Sequence, residues 1–515
     1  MINDRDTVKN ALNASNVDVF CIFNGATTRA TRSVGRSVAV SHCAATATAT
    51  TTAMSDAARA STRTSSTSRL ARRAVDRSVR ANDATTRRRR RPPPARARGE
   101  VDTWTDVTLP LSEDAREAFM REYWQKKPLL MRQAIPNFRP PLDGNEIAGL
   151  ACEEDASARI FVREGDDEQS WRKKIGPFEE SDLTSLPEDK PWSLIVNDLD
   201  VQAQPFGDML ELFNCFPRWR ISDIQASVSP DGGGVGPHSD HFDVFLLQAE
   251  GEKVWAVADN EEYWPDNDAA FVPECEIRVL KSFVEDDSFT LVPGDMLYLP
   301  PKIAHNGVAT NSKPGVSVTL SIGFLAPTTD ELVLSYTQRA SEKLKGSRWS
   351  DPWLKPVEDV GAISAESITY ASEIIKRTYP KNDAEVARWF GCHTTARTGE
   401  DDDADENEVS IEELLAAWEH QGLVAREDLR FAFVEKVADD SLKNALFFAN
   451  GECWDVVSPA AVKTATVIAN RGELYEEDTQ TEECDFDDEA LKLALTLFER
   501  GYLYFPEDED DQCYS

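Results

Sequence analysis

Two histidines and one aspartate have the types and the spacing of a metal-binding set. His238 and Asp240 stand two residues apart in GGGVGPHSDHFDVF, and His305 follows later in MLYLPPKIAHNG. Two imidazoles and one carboxylate can occupy one face of a metal octahedron and leave the opposite face open. The chain has only 6 histidines, so this pattern uses a third of them. The alternative, on the residues alone, is ordinary core or surface histidines with satisfied hydrogen bonds.

The alternation of side chains along a strand indicates how these three residues could come together. Residues i and i+2 of a strand point to the same side, so His238 and Asp240 can reach one ion where a strand begins. His305 follows a predicted strand and the double-proline stop Pro300–Pro301, which favours a place at a barrel mouth. His241 would point to the opposite side, so we expect it outside the ligand set, lining the substrate entrance. The arrangement is typical of non-haem Fe(II) oxygenases.

Lys253 is a second candidate for chemistry. It starts the apolar strand KVWAVA, on the same face as Trp255 and Val257. A buried lysine needs an anionic partner. A dicarboxylate co-substrate would supply one, with its far carboxylate on the ammonium and on the hydroxyl of Thr319 or Ser321. The alternative is that the lysine extends to solvent or pairs with a nearby glutamate.

The elements that must position these residues are short strands. After a predicted helix from Ser112 to Arg121, strand patterns run from Trp192 to Phe324. FTLVPGDMLYLPP predicts two strands joined by a type II turn at Pro293–Gly294. VSVTLSIGF alternates strictly between apolar and hydroxyl residues, as a half-buried strand does. Many short antiparallel strands predict a double-stranded β-helix, meaning a jelly-roll or cupin barrel.

The composition divides the chain into five parts, and the fold class is α+β. Residues 101–327 hold the barrel with its N-terminal helices, and 328–398 have helical patterns. An acidic linker occupies 399–408. Residues 409–515 form a small α/β tail, with two short apolar strands predicted around FAFVEKVA and ALFFANGECWDV. Residues 1–100 are rich in Ala, Ser, Thr and Arg and cannot bury enough apolar surface to fold alone.

The leader of residues 1–100 favours import into an organelle, a chloroplast or a mitochondrion. It is rich in Arg and Ser and poor in acids, as transit peptides are. Asp4 and Asp6 fit that prediction poorly, and translation from Met54 would give a cleaner transit peptide. The alternatives are a disordered tail, or a nuclear signal at Arg87–Arg91.

Charge and cysteine usage limit the partners. Residues 1–100 carry 19 basic and 7 acidic side chains, and the rest carries 37 basic and 84 acidic. Such an acidic body disfavours direct nucleic-acid binding and suits a basic protein, although acidity also serves solubility. The 9 cysteines form no C-x-x-C pair, which argues against a disulfide framework or structural zinc. No apolar run is long enough to predict a membrane span.

Several longer segments resemble one family. The histidine segment with EGEKVWAV, together with REYWQKKPLLMRQAIPNF, FNCFPRWRISDI and SIGFLAP, is similar to the JmjC-type ribosomal oxygenases of the bacterial-type branch. SDPWLKP, ARWFG, FFANGECWDV and RGYLYFPE extend the resemblance over residues 101–515. It implies a protein hydroxylase dependent on Fe(II), 2-oxoglutarate and O2. It also implies a helical dimerisation region after the barrel, hence a homodimer, and a winged-helix-like C-terminal domain.

Carried over by position, the resemblance gives roles to individual residues. His238, Asp240 and His305 match the iron ligands. Lys253 stands where bacterial arginine hydroxylases have an arginine that binds 2-oxoglutarate and where histidine-hydroxylating relatives have lysine. Asp243 is a candidate substrate contact. The implied substrate is a basic large-subunit ribosomal protein, hydroxylated on arginine by a peptidyl-arginine 3-hydroxylase type of dioxygenase.

Four other functions stay open on the sequence. A cupin metalloenzyme without 2-oxoglutarate would have no buried cation at position 253. A histidine-hydroxylating ribosomal oxygenase or a histone-demethylase-like JmjC enzyme would use the same metal ligands, and the demethylase would need a nuclear address. A barrel without activity could serve as a ribosome-binding cupin module.

Overall fold

The computed structural model describes residues 101–165, 170–187, 190–310, 315–356, 359–396, 414–415, 418, 421–426, 428–475 and 488–506. The leader of residues 1–100 and the acidic linker 399–408 lie outside these ranges, so the expectations about them stay predictions.

Thirteen strands occupy the described part of the chain up to Phe324. In chain order they are β1 Asp102–Trp104, β2 Leu129–Met131, β3 Ala158–Arg163, β4 Trp171–Ile175, β5 Trp192–Val196, β6 Ile221–Ser229, β7 His238–Ser239, β8 Val244–Glu250, β9 Lys253–Ala258, β10 Asp287–Leu291, β11 Met296–Leu299, β12 Ala304–Ala309 and β13 Ser317–Phe324. They form two sheets, one in the order β1-β2-β11-β8-β13-β6-β5-β3-β4 and one in the order β10-β9-β12-β7.

The two sheets confirm the predicted double-stranded β-helix within a mixed helix and sheet fold. Side chains from both sheets meet in one apolar cluster, which includes Leu246 and Leu297 of the large sheet and Trp255, Val257 and Leu291 of the small sheet. Because residues two apart in a strand share a face, the alternation of each strand decides which side chains enter this space. Side chains that do chemistry in this barrel are therefore expected on the interior faces of its strands.

The outer face of the large sheet carries a second core. Val318, Leu320 and Ile322 of β13 pack there, as their alternation with the hydroxyl residues predicts. Short helices cover this face: α1 Glu113–Glu122, α2 Gly144–Leu150, α3 Glu180–Thr184, α4 Leu199–Gln202 and α5 Gln204–Met209. Ser112 caps α1 by accepting a hydrogen bond from Ala115 N, as the sequence predicts.

Two predicted local features of the barrel are confirmed. Gly294 has φ +91°, the left-handed value that a type II turn requires between β10 and β11. The apolar runs VFLLQ and KVWAVA lie within β8 and β9.

Three helices follow the barrel, and two small sheets complete the described chain. The helices are α6 Thr329–Glu342, α7 Ala365–Lys376 and α8 Asp383–Thr395. The C-terminal elements are β14 Leu423–Ala425, β15 Phe431–Val434, β16 Ala445–Ala449, β17 Glu452–Val456, α9 Pro459–Arg471, β18 Glu473–Leu474, α10 Asp488–Glu499 and β19 Leu503–Tyr504. Their sheets have the orders β18-β14-β19 and β15-β16-β17.

One expectation about the tail is wrong in detail. The segment ALFFANGECWDV was predicted as a single strand, but it folds as the hairpin β16–β17. Asn450 and Gly451 form its two-residue turn with φ of +45° and +79°, the left-handed values of a type I′ turn. The winged-helix-like assignment of the tail stays a prediction.

In the described part of the chain, no helix is both long enough and apolar enough to cross a bilayer.

Candidate metal centre

The three predicted ligands meet in the barrel interior. β7 pairs with β12 so that His238 and His305 are direct cross-strand neighbours, with ring centroids 4.2 Å apart. Asp240 follows β7, and its Oδ2 lies 3.9 Å from His238 Nε2 and 3.6 Å from His305 Nε2. All three side chains are buried. Two imidazoles and one carboxylate therefore converge on a single point.

Hydrogen bonds to the backbone orient both rings. His238 Nδ1 lies 3.1 Å from the carbonyl oxygen of Gly236, and His305 Nδ1 lies 3.0 Å from that of Ile303. A proton on each Nδ1 leaves the Nε2 lone pairs directed toward Asp240. Burial lowers the pKa of each imidazole to about 4, so both are neutral, as metal ligation requires.

The donor set fits a divalent transition metal. One ligand atom from each of His238, Asp240 and His305 lies within 4.8 Å of the others. His305 Nε2 is buried and, within the described residues, has no hydrogen-bond partner. Burial also raises the pKa of the Asp240 carboxyl, so its ionised form needs a compensating cation. A metal ion would satisfy the ring nitrogen and the carboxylate together.

Lys253 shares the interior with the metal ligands. His305 is paired with Val257 of β9, and Lys253 lies four residues along the same strand. Paired residues and residues i and i+4 project to the same face, so His305 and Lys253 point into the same space. Along β9, the Cα atom of Lys253 lies about 13 Å from that of Val257. Lys253 is fully buried, and its Nζ donates to Thr319 Oγ1 at 3.4 Å.

Thr319 of β13 links this ammonium to a buried amide. Thr319 Oγ1 in turn donates to Gln248 Oε1 at 3.1 Å. Ser321 lies on the same face of β13, and its buried Oγ has no hydrogen-bond partner among the described residues. The structure thus places Lys253, Thr319 and Ser321 on the interior walls of one barrel, as the sequence predicted. Their role toward a co-substrate stays a prediction.

Sequence reasoning missed the contact between Trp255 and Gly307. The two residues are cross-strand partners, and a Cβ on Gly307 would come 2.8 Å from the indole ring. The Trp255 ring centroid lies 5.9 Å from that of His305 and 5.5 Å from Lys253 Nζ. Trp255 therefore lies between the metal ligands and the lysine and fixes their spacing.

The two residues proposed to contact substrate, His241 and Asp243, differ in their exposure to solvent. His241 is partly exposed, with its Nδ1 3.6 Å from Asp266 Oδ1, and it lies outside the cluster of metal ligands as predicted. Asp243 lies just before β8 and is fully buried, and it contacts Tyr298, which packs in the core on the outer face of the large sheet.

The partners of Asp243 explain its burial. Its carboxylate accepts hydrogen bonds from Tyr298 Oη at 2.6 Å and Gln125 Nε2 at 2.9 Å. Arg220 lies 3.6 Å away as its counter-ion. A substrate would reach this carboxylate only after these groups had moved.

Comparisons with known proteins agree with this geometry. Residues 208–332 match the family model described as the JmjC domain. The ribosomal protein uL16 3-hydroxylase of Escherichia coli (strain K12) is 28% identical over 393 residues, which cover 75% of this chain and 96% of that protein. A probable ribosomal oxygenase of Haemophilus influenzae is 36% identical over 223 residues, 42% of this chain and 51% of that protein.

A solved structure matches over a similar extent. It is the E. coli ribosomal oxygenase YcfD in complex with cobalt and 2-oxoglutarate, with a TM-score of 0.61 and 27% sequence identity. The match covers 78% of this chain and 100% of that chain. The chain described here is therefore a JmjC-domain protein with a cupin barrel, homologous to the E. coli uL16 3-hydroxylase.

Proposed function

We propose that this chain is an Fe(II)- and 2-oxoglutarate-dependent dioxygenase that hydroxylates a side chain of a ribosomal protein. The observation that carries the proposal is one barrel interior holding both a buried 2-His-1-carboxylate set and a buried lysine on the same face. A metal-only cupin has no need of the lysine. A five-carbon keto diacid, with one end at the metal and the other at the ammonium, needs both.

Each polar residue has a task in that reaction. Bound Fe(II) would supply the redox chemistry that couples oxidation of 2-oxoglutarate by O2, giving succinate and CO2, to insertion of one oxygen atom into a substrate C–H bond. His238, Asp240 and His305 would hold the metal and leave one face open. Lys253 would bind the far carboxylate through a charge-assisted hydrogen bond, with Thr319 beside it. Trp255 would line the space between the metal and the lysine.

The finer proposal is that the hydroxylated side chain is an arginine of a large-subunit protein. The net charge of −35 favours a basic partner. The similarity to a uL16 3-hydroxylase supports a ribosomal protein of the large subunit. Lys253 is the residue that favours the second candidate, histidine hydroxylation, because histidine-hydroxylating relatives have lysine at this position.

Mass spectrometry of the substrate tests this function. The full chain, loaded with Fe(II) and supplied with 2-oxoglutarate and air, is incubated with the organellar homologue of uL16. We expect a mass increase of one oxygen atom on an arginine, with one succinate formed per hydroxylation. The Asp240→Ala variant should give neither product, and the control variant Arg377→Gln, at an exposed arginine after α7, should retain both.

The alternative functions give different results in this assay or in the same assay with a methylated histone peptide or whole ribosomes as the substrate. Oxygen on a histidine would replace the arginine proposal while keeping the enzyme class. Loss of methyl groups from a histone peptide would indicate a demethylase. Binding to ribosomes without any succinate would leave a ribosome-binding cupin module and contradict the dioxygenase.

Two further proposals concern location and assembly. The composition of residues 1–100 supports import into an organelle, and a fluorescent protein fused to this segment would show whether it enters chloroplasts or mitochondria instead of the nucleus.

A homodimer through residues 328–398 is supported by large apolar side chains that lie exposed there, such as Leu334 on α6 and Ile368 and Ile375 on α7.

A further inference from the structure

Two cysteines outside the barrel lie on elements that pack together. Cys392 belongs to α8, and Cys453 belongs to β17. Arg388, one turn before Cys392 on α8, donates to Cys453 Sγ, and each thiol shifts the pKa of the other, so the two sulfurs are neighbours. Both residues belong to one apolar cluster built on Leu446 and Phe448. None of the chemistry proposed for the barrel uses this pair.

The packing of α8 against the C-terminal sheet holds the two sulfurs together. Gly391 lies so close to the Phe448 ring that a Cβ would come within 2.3 Å of it, so glycine is what allows the helix to approach. Phe448 is the cross-strand partner of Cys453. A second tie follows at the end of the helix, where Gly451 N donates to Thr395 Oγ1 at 3.1 Å.

Charged side chains lie beside the sulfurs. Arg388 donates to Cys453 Sγ at 3.7 Å and also forms an ion pair with Asp455, while the charge of Arg339 of α6 acts on Cys392. The neighbouring Cys453 thiol and the two guanidinium charges lower the pKa of the Cys392 thiol. Thiolates next to arginine are the reactive form of cysteine toward oxidants.

We propose that Cys392 and Cys453 are a redox-active pair that forms a reversible disulfide between α8 and β17 on oxidation by a peroxide. The Cys392 thiolate attacks hydrogen peroxide and becomes a sulfenic acid, with release of one water after proton transfer. Cys453 then attacks that sulfur, and a second water leaves as the S–S bond forms. The two thiols lose two electrons and two protons in total, and the peroxide is reduced to two waters.

The bond would join the helical segment to the C-terminal sheet. Cys392 is nearly buried, so a small oxidant such as peroxide suits the first step better than a large protein disulfide. A dithiol reductant would reach the oxidised pair through the partly exposed Cys453.

The chain offers its own comparison residues. Burial raises the pKa of the Cys152 and Cys215 thiols, so both are neutral near pH 7. The full-length reduced chain is treated with hydrogen peroxide, alkylated, digested and analysed by mass spectrometry over time. At about pH 7 we expect Cys392 to react several-fold faster than Cys152 or Cys215, because its lowered pKa gives it the larger thiolate fraction. Its product should be a peptide linked to that of Cys453, and dithiothreitol should restore both thiols.

Variants separate the parts of the proposal. Cys453→Ser should leave Cys392 as a sulfenic acid that a dimedone probe captures, with no linked peptide. Arg339→Gln should slow the oxidation several-fold, whereas Arg377→Gln, an exposed arginine, should not change it. Oxidation of Cys392 no faster than Cys152, or oxidation without a Cys392–Cys453 link, would overturn the proposal.

Discussion

His305 Nε2 lies 3.6 Å from Asp240 Oδ2, and the ring that carries it is fixed from behind by the carbonyl oxygen of Ile303. The contact is too long for a hydrogen bond, so the two groups do not satisfy each other. Two ligand atoms on the same face of a metal octahedron lie about 3.0 Å apart when each is near 2.1 Å from the ion, so metal binding would draw this pair together by roughly 0.6 Å. The geometry is that of a pair prepared for a cation between them.

The metal ligands give the first prediction. His305→Ala and Asp240→Ala should each weaken Co(II) or Fe(II) binding by about 100-fold or more, because each removes one of three protein ligands. His241→Ala is the matched control, since this imidazole lies outside the cluster, and it should bind metal like the unaltered chain. Isothermal titration with Co(II) measures all three. Equal affinity of His241→Ala and His305→Ala would contradict the assignment.

Lys253 gives the second prediction. Lys253→Met should raise the KM for 2-oxoglutarate by roughly 100-fold or more, because a buried carboxylate would lose its charged partner at a cost of about 3–5 kcal/mol. The same substitution should leave the melting temperature of the ligand-free chain equal or higher, since it replaces a buried charge with an apolar side chain of similar length.

The decisive measurement compares thermal shifts with and without 2-oxoglutarate in the presence of Mn(II). The unaltered chain should be stabilised by the diacid and Lys253→Met should not, while Lys253→Arg should regain part of the shift by keeping the charge. A full thermal shift in Lys253→Met would separate this lysine from the co-substrate.

Asp243 gives the third prediction. Asp243→Ala should lower the free energy of unfolding by about 2–4 kcal/mol, because it leaves the Tyr298 hydroxyl and the Gln125 amide without their acceptor and the partly buried Arg220 without its counter-ion. Tyr298→Phe removes one of these hydrogen bonds and should cost about 1–2 kcal/mol. Denaturant unfolding measures both. If Asp243 instead contacted substrate, Asp243→Asn would raise the KM for the ribosomal protein and leave stability unchanged.

Strand periodicity explains how far the sequence could predict this site. The expectation for His238, Asp240 and Lys253 rests on the rule that residues two apart in a strand share a face. The rule holds within β9, and Asp240 still reaches His238 although it lies just after the short strand β7. The contacts of Asp243 could not be predicted by this rule, because the chain turns between Asp240 and β8 and the alternation of side chains restarts on the opposite face. Its partner Gln125 is 118 residues away in sequence, and no local pattern indicates such a contact.

Strand register is the other feature that limits prediction of this site from the sequence. The contact between Trp255 and Gly307 depends on which residue of β9 faces which residue of β12, and the sequence of neither strand states this. The Asn450–Gly451 hairpin is different, because that dipeptide is a strong signal for a type I′ turn. Its two strands could have been predicted from the local sequence alone.

Exposed apolar residues give the fourth prediction. Ile368 and Ile375 lie seven residues apart on α7, hence on one face of the helix, and each exposes more than half of its surface. If this face joins two copies, the double variant Ile368→Asp and Ile375→Asp should be monomeric by light scattering while the unaltered chain is dimeric. Thr369→Asp, an exposed position on the same helix, should stay dimeric. A monomeric unaltered chain would refute the dimer.

Three aspartates around Arg430 give the last prediction. Burial raises the pKa of Asp223 to about 7 and of Asp200 to about 6, and nearby Asp198 raises both. These carboxyls hold protons more tightly in the folded chain than in the unfolded one. Their contribution to stability is therefore complete below about pH 4 and falls as the pH rises through 6 and 7.

Arg430, which donates to the carbonyl oxygen of Ser222 at 3.0 Å, offsets that fall because its guanidinium attracts the ionised carboxylates. Arg430→Gln should therefore cost about 1–2 kcal/mol more stability at about pH 8 than at about pH 5, where Asp223 and Asp200 are mostly protonated. Thermal unfolding across this range, with Arg377→Gln as the exposed control, measures the difference. A loss of stability that is the same at both ends of the range would mean that Arg430 acts through packing alone and not through these carboxylates.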